Sequence, residues 1–114
     1  MFKKKKFLFS IITVVLNNKK TIKRCIQSVL SQKFKNFEYI IIDGGSKDGT
    51  LEIIKEYKNK GINKIISKKD QSMWSAMNKG IKISNGEIIC MLNSDDYFTE
   101  NALAIVAKYF RKYD

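Results

Sequence analysis

Two kinds of apolar pattern alternate along the chain. Continuous β-branched and aromatic runs are typical of strands covered on both faces, whereas apolar residues repeated every three or four positions are typical of helices with one buried stripe. The runs predict four strands, at Phe7–Val15, Phe37–Asp43, 63–67 and 87–92. A helix is predicted after each strand, so strands and helices follow one another in turn.

Each of the first three predicted helices has an apolar stripe that would face the sheet. In chain order, the stripes consist of Ile22, Cys25, Ile26, Val29 and Leu30; of Leu51, Ile54 and Tyr57; and of Trp74, Met77 and Ile81. Asp48 or Ser46 is placed to cap the second helix, and Thr99 to cap the last one.

This alternation predicts an α/β fold, with a mostly parallel, twisted sheet of about four strands and helices on both faces. The 114 residues are predicted to form a single domain, residues 1–114. In such sheets, ligands bind at the carboxyl ends of the strands. Polar and glycine-rich segments occur there at residues 13–17, 43–49 and 93–96. Their convergence at one edge is the main indication of function.

The composition excludes several kinds of catalytic site. The chain has no histidine, which removes histidine metal ligands and the histidine base of serine and cysteine nucleophiles. Its two cysteines, Cys25 and Cys90, are too few for a disulfide framework or a four-cysteine zinc site. Each lies among apolar neighbours, so both are predicted to be small core residues in a reducing compartment.

The net charge of +11 comes from 22 basic residues, of which only Arg24 and Arg111 are arginine. Readers of nucleic acid usually rely on arginine, so we predict no nucleic-acid partner. Solvated lysine faces and a functional basic surface both remain open. The densest cluster, the lysines at positions 3–6, precedes a strand-like run with no small-residue cleavage site after it, which argues against a signal peptide. We predict a cytoplasmic protein whose lysine cluster contacts an anionic membrane surface peripherally.

The segment 43–50 places an acid and three glycines at the end of the second strand. It lacks the G-x-G-x-x-G spacing of a dinucleotide site, and Thr50 stands where a P-loop would have lysine. An NTPase is therefore rejected. Asp43 remains able to accept a hydrogen bond from an N–H edge such as the imide of uracil. The alternative is a strand-to-helix turn whose acids only cap helices.

The segment Asn93-Ser94-Asp95-Asp96, which we call the acid loop, follows the fourth strand. Adjacent carboxylates at the end of a buried strand are costly unless something neutralises them. Hard divalent cations prefer oxygen ligands, and Mg²⁺ often binds one or two carboxylates together with phosphate oxygens. Asp95 and Asp96 therefore predict a metal shared with a diphosphate, the alternative being two surface acids.

A third segment, residues 69–80, leads into the predicted third helix and places Asp70 and Asn78 near the same sheet edge. Taken alone, it is weak evidence for a site. Its large apolar residues, Trp74 and Met77, are predicted to lie in the core rather than to contact a ligand.

Together these motifs resemble a known family. The residues concerned are Ser10-Ile11-Ile12-Thr13-Val14-Val15-Leu16-Asn17, Tyr39-Ile40-Ile41-Ile42-Asp43-Gly44-Gly45-Ser46-Lys47-Asp48-Gly49-Thr50, Ala76-Met77-Asn78-Lys79-Gly80-Ile81, Gly86-Glu87-Ile88-Ile89 and Leu92-Asn93-Ser94-Asp95-Asp96. In order and spacing they resemble the N-terminal, nucleotide-sugar-binding half of family 2 glycosyltransferases, which have the GT-A fold. The resemblance covers residues 8–112.

The resemblance implies a site for a nucleoside-diphosphate sugar, most often a UDP-sugar. It implies that Asp43 reads the base, that the loop of Asp70 closes over base and ribose, and that Asp95 and Asp96 hold Mn²⁺ or Mg²⁺ on the diphosphate. The donor-site residues that it implies are Thr13, Val15, Asn17, Asp43, Gly45, Ser46, Asp70, Asn78, Asn93, Ser94 and Asp95.

The chain departs from the family pattern in three places. Asn93 stands where many members have an aspartate, and Trp74-Ser75 where a tyrosine-aspartate pair is common. The third departure is that the acceptor half, with the catalytic base, is expected beyond Asp114. We expect metal-assisted, inverting transfer to a glycan or lipid-linked acceptor in polysaccharide biosynthesis. The alternatives are a nucleotide- and metal-binding module without transferase activity and a basic interaction domain. Self-association is also expected, because a sheet without its later neighbours exposes a strand edge.

Overall fold

One parallel sheet of four strands organises the computed structural model, which describes residues 5–69 and 72–113, the last two by their backbone alone. The elements are β1 (Phe7–Val15), α1 (Ile22–Leu30), β2 (Phe37–Asp43), α2 (Thr50–Glu56), a short 3₁₀ helix (Lys58–Lys60), β3 (Lys64–Ser67), α3 (Met73–Lys82), β4 (Gly86–Met91) and α4 (Ala102–Tyr113). The predicted α/β class and parallel sheet are confirmed. The first two strands have the predicted bounds, and the other two differ by one residue.

The strand order β3-β2-β1-β4 creates a switch point between β1 and β4. The chain builds outward from β1 through β2 to β3, then returns to the other side of β1 for β4. Ile12 of β1 is aligned with Ile40 of β2 on one side and with Met91 of β4 on the other. At such a point the connections leave in opposite directions, which opens a crevice at the carboxyl ends of β1 and β4.

Helices cover both faces of the sheet, as predicted. On one face, β1 and β2 pack against α1, α2 and α4, in a core that includes the fully buried Ile11, Ile26 and Ile54. On the other face, α3 packs on Ile12, Ile40 and Ile42 through Ala76. Burial on both faces explains why β1 and β2 are continuous apolar runs rather than alternating ones.

The prediction that α3 buries Trp74, Met77 and Ile81 is wrong for two of the three. Trp74 is 73% exposed and Ile81 is 41% exposed, and Met77 is half-buried. The helix instead presents Ala76 and Gly80 to the sheet, one turn apart. A methyl group added at Gly80 would lie 2.7 Å from Cγ2 of Ile12, so the small residues let the helix approach closely and turn its larger side chains outward.

The last helix begins later than its predicted cap. The carbonyl of Thr99 accepts a hydrogen bond from the N–H of Ala102, and Asn101 adopts a left-handed conformation with φ of 69°. The side chain of Gln32 bridges this turn, donating to Thr99 O and accepting from the N–H of Leu103. Of the two cysteines, Cys25 is buried as predicted and Cys90 is half-buried.

A buried glutamate, Glu38, links neighbouring strands at the end of the sheet that lies opposite the crevice. Glu38 is 1% exposed and accepts hydrogen bonds from Ser10 Oγ and from the N–H of Asn85. The ammonium of Lys64 lies 3.6 Å from it. Because Ser10 Oγ also accepts from the N–H of Gly86, the start of β4 is held against β1 and β2. Within residues 5–69 and 72–113, no helix has the length and apolarity needed to cross a membrane.

Candidate functional site

A cavity of about 470 Å³ lies at the carboxyl ends of the strands, where the switch point predicts a crevice. Its volume is in the usual range for small-molecule sites. It is lined by Val14, Val15, Leu16, Asn18, Gly44, Ser72, Met73, Ala76, Asn93, Ser94 and Asp95. Four predicted donor-site residues therefore line it: Val15, Asn93, Ser94 and Asp95. The wall is mainly apolar at one end and polar at the acid loop.

Asn17 joins the first two polar loops. It adopts a left-handed conformation with φ of 48°, which asparagine tolerates better than most residues. Its N–H donates to Ser46 Oγ at 2.8 Å, and its Oδ1 accepts from the N–H of Lys47 at 2.7 Å. Asn17 and Ser46 are thus hydrogen-bonded to each other beside the cavity, and neither lines it.

Asp43 is fully buried at the end of β2. Its carboxylate accepts hydrogen bonds from the N–H groups of Gly45 and Ser46, from Ser46 Oγ and from Ser67 Oγ. Three of these donors, the two N–H groups and Ser67 Oγ, meet at Oδ2, whereas Oδ1 accepts only from Ser46 Oγ. Oδ1 keeps a second acceptor position, but Asp43 is fully buried, so a nucleobase N–H reaches it only if the loop moves. In this structure Asp43 shapes the loop in which Gly45 has φ of 94°.

The N-cap residue of α2 is Gly49 rather than either predicted residue, and Asp48 lies one position before it. Its Oδ1 accepts from both the N–H and the hydroxyl of Thr50, the first residue of the helix. The hydrogen bond from the Thr50 hydroxyl is the main cause that lowers the pKa of Asp48. Thr50 Oγ1 in turn accepts from the N–H of Asn18, and this bond links the N-terminal end of α2 to the cavity wall.

Thr13 does not line the cavity. Its side chain is fully buried on the side of β1 that faces α1, with its hydroxyl oxygen 2.9 Å from that of Tyr39 and 3.7 Å from Cys25 Sγ. Burial raises the pKa of the Cys25 thiol, and the nearby charges of Asp96 and Asp95 raise it further. The thiol therefore stays protonated at neutral pH and donates to the carbonyl of Asn93 at 3.5 Å.

The acid loop turns on itself and leaves its two carboxylates exposed. The N–H of Asp96 donates to Asn93 O at 3.0 Å. Among the side chains that the structure describes, those of residues 5–69 and 72–111, no basic group lies within ion-pair distance of Asp95 or Asp96. In the same part of the chain, no group of three potential ligands could hold a metal by itself. Two free carboxylates fit a hard cation that takes its remaining ligands from phosphate oxygens and water.

Two predicted donor-site residues remain to be located, Asn78 and Asp70. Asn78 is exposed on α3 and does not line the cavity. Asp70 lies outside the described residues. The lining residues that are absent from the predicted donor-site set are Val14, Leu16, Asn18, Gly44, Ser72, Met73 and Ala76. Three of them, Val14, Leu16 and Gly44, nevertheless lie in the segments 13–17 and 43–49 that were predicted to meet at this edge. A signal existed for Asn18, a polar residue directly after β1 at the edge where ligands bind, whereas nothing local distinguished Ala76.

Comparison with known proteins gives concordant results. A family model described as "Glycosyl transferase family 2" matches residues 10–114. The chain is 37% identical over 106 residues to the chondroitin synthase of Escherichia coli, covering 92% of this chain and 16% of that protein. It is 34% identical over 110 residues to a PGL/p-HBAD biosynthesis glycosyltransferase of Mycobacterium bovis, covering 94% of this chain and 43% of that protein.

Among solved structures, the chain resembles the S. aureus TarS fragment 1–349 in complex with UDP-GlcNAc. The TM-score is 0.84 at 28% identity, and the match covers 91% of this chain and 31% of TarS 1–349. The chain thus spans less than half the length of each protein that it resembles here. The range that the family model matches, residues 10–114, includes all the residues that line the cavity.

Proposed function

The chain belongs to glycosyl transferase family 2, and from this membership and the geometry of the cavity we propose that it binds the nucleoside-diphosphate sugar of a glycosyltransferase. The reaction is transfer of the sugar, from a UDP-sugar, to a glycan or lipid-linked acceptor with inversion at the anomeric carbon. The observation that carries the proposal is the placement of Asp95 in the lining of a cavity of about 470 Å³, with Asp96 beside it.

The two ends of the cavity suit the two parts of such a donor. Val14, Leu16 and Met73 offer apolar surface for a flat base or a sugar ring, while Asn93 and Ser94 offer polar groups. The UDP-GlcNAc complex of TarS, a protein 28% identical to this chain, supports UDP as the carrier. Asp43 holds the loop 43–46 in this proposal, and its Oδ1, which accepts only from Ser46 Oγ, is the atom that could accept a hydrogen bond from the base.

Asp95 and Asp96 hold Mn²⁺ or Mg²⁺ together with the diphosphate in this proposal. When bound, the cation supplies charge stabilisation for the departing nucleoside diphosphate. The chain contributes two exposed carboxylates on a short turn whose backbone is hydrogen-bonded to α1. Asn93, with an amide in place of a carboxylate, adds a hydrogen-bonding group without adding charge.

A second candidate is a module that binds nucleotide and metal but transfers nothing. Inverting transfer needs a base to deprotonate the acceptor hydroxyl. In the described part of the chain, the only acid that lines the cavity is Asp95, which the proposal already uses for the metal. A transfer assay with radiolabelled UDP-sugar and a glycan acceptor separates this module from a transferase, since only the transferase forms labelled glycoside.

Calorimetric titration of UDP into the full chain, with and without Mn²⁺, tests the donor site. We expect Mn²⁺ to strengthen binding, and Asp96→Ala to remove that gain, a loss of about tenfold or more in affinity. Glu100→Ala, which changes an exposed acid outside the cavity, is the matched control and should behave like the wild type. Unchanged Mn²⁺-dependent affinity in Asp96→Ala would overturn the metal assignment.

Two further contacts belong to the proposal. The lysine cluster at positions 3–6, of which 3 and 4 lie outside the described residues, attracts an anionic membrane surface. Sedimentation with phosphatidylserine vesicles at low and high salt tests that contact. Self-association of the chain also remains a prediction, which light scattering at two salt concentrations tests.

A further inference from the structure

We propose that Thr21 is a positioning residue for the metal-binding acids: it fixes the backbone of the acid loop so that the carboxylates of Asp95 and Asp96 project towards the cavity opening. This inference rests on the proposed function, because it concerns the same cation and diphosphate. Thr21 lies directly before α1 and does not line the cavity.

The hydroxyl of Thr21 is used in an unusual way for its position. Thr21 is the N-cap residue of α1, and a threonine there ordinarily accepts a hydrogen bond from an N–H of the first turn. Its side chain makes no such bond. Instead, Thr21 Oγ1 donates to the carbonyl of Ser94 at 2.9 Å, across 73 positions of sequence. The hydroxyl thus serves the acid loop rather than its own helix.

Three neighbours of Thr21 make parallel contacts with the same loop. Asn18 Nδ2 donates to Ser94 Oγ at 3.0 Å, Arg24 donates to the carbonyl of Asp95 at 3.3 Å, and Cys25 Sγ donates to the carbonyl of Asn93. The guanidinium of Arg24 also lies 4.6 Å from the ring centre of Tyr97, which keeps it over the loop.

These hydrogen bonds hold the backbone of the acid loop and leave the carboxylates of Asp95 and Asp96 free to bind a cation. Asn18 and Thr21 precede α1 and Cys25 lies in its first turn, so the three side chains come from the N-terminal end of this helix. They bond two consecutive backbone carbonyls and one hydroxyl of the loop, and none of them occupies a carboxylate oxygen. Ile22 and Ile26 are fully buried, so α1 is a firm support for these bonds. A preorganised pair of ligands binds a cation better than a mobile pair.

Thr21→Val is the most direct test, because it removes the hydroxyl, keeps the side-chain shape and costs no capping bond. Thr21→Ser restores the hydroxyl, and Thr99→Val makes the same change at an exposed position outside the acid loop. For each full-chain variant we would measure the Mn²⁺ concentration for half-maximal UDP binding, the UDP affinity without metal and the thermal midpoint.

We expect Thr21→Val to raise the Mn²⁺ requirement by about threefold to tenfold, as the loss of one hydrogen bond implies, with metal-free UDP affinity unchanged. Thr21→Ser and Thr99→Val should match the wild type. A merely structural role would lower the thermal midpoint and leave the Mn²⁺ requirement where it was, and that result would overturn the inference.

The remaining outcomes are also decisive. If the wild type binds UDP without any dependence on Mn²⁺, the proposed metal site fails, and the inference fails with it. If Mn²⁺ dependence is present in the wild type and unchanged in Thr21→Val, only the inference fails. Should Thr21→Val not fold, Arg24→Gln on the exposed side of α1 decides, since a raised Mn²⁺ requirement supports positioning from α1 and an unchanged one overturns it.

Discussion

The carboxylate of Asp43 binds groups of its own chain, whereas its place in the sequence suggests that it binds a ligand. An acid at a strand end before two glycines predicts a side chain that faces a ligand. The structure buries it fully and surrounds it with two backbone N–H groups and two serine hydroxyls. Its charge is thereby satisfied within the chain, and the loop 43–46 is shaped around it.

We therefore expect Asp43→Ala to lower the free energy of unfolding by about 2–4 kcal/mol, because it leaves several buried donors without an acceptor. From the sequence alone, the same substitution is expected to weaken nucleotide binding and to change the stability of the fold very little. Urea denaturation measures the difference, with Asp95→Ala as an exposed control expected to stay within about 0.5 kcal/mol of the wild type. An Asp43→Ala protein as stable as the control would contradict the structural role.

Helix α3 shows how a small-residue face changes which side of an element is buried. Ala76 and Gly80 contact the sheet, so the helix axis lies close to β1 and β2. The larger apolar residues of the same helix then have no room beneath it, and Met73 and Trp74 remain 63% and 73% exposed. Met73 contributes to the cavity wall instead of the core.

Trp74→Ala should change the free energy of unfolding by no more than about 0.5 kcal/mol, since an exposed side chain loses little packing when truncated. Ile54→Ala, at a fully buried position of α2, should cost about 2–5 kcal/mol through lost burial and a cavity. Thermal or urea unfolding of the two variants provides the comparison. A large loss for Trp74→Ala would mean that α3 packs through its bulky face after all.

The charge of the whole molecule bears on how an anionic donor arrives. A net charge of +11 attracts a diphosphate over the screening length, which is about 10 Å at 0.1 M salt and about 3 Å at 1 M. This attraction is additional to the acid loop, whose local charge is negative and requires a cation. The net charge of the molecule therefore speeds the association of the donor, whereas the metal slows its dissociation.

Raising NaCl from about 0.1 M to about 1 M at fixed Mn²⁺ should weaken UDP binding several-fold, mainly through a slower association rate. Stopped-flow measurement of association and dissociation separates the two rates. Uridine, which carries no phosphate, is the matched control ligand, and its affinity should hardly change with salt. Equal salt dependence for UDP and uridine would show that the basic surface does not act on the phosphates.

Local pattern was enough to predict the four strands, the stripe of α1, the two faces of the sheet and the edge at which polar loops meet. Periodicity and β-branching act within a few residues, so neighbours in sequence carry that information. It was also enough to single out Asp95 and Asp96, because two acids directly after an apolar strand are conspicuous without any partner.

Only the tertiary structure decided which side chains face the cavity and which serve the chain itself. Thr13 lies within hydrogen-bond distance of Tyr39, Asp43 accepts from Ser46 and Ser67, and Thr21 donates to Ser94 across 73 positions. Such bonds depend on how parallel strands and their helices are brought side by side, and a residue's own neighbours carry no trace of them. The burial of α3 through Ala76 has the same origin, because helix-to-sheet distance is set by the sheet residue opposite, here Ile12.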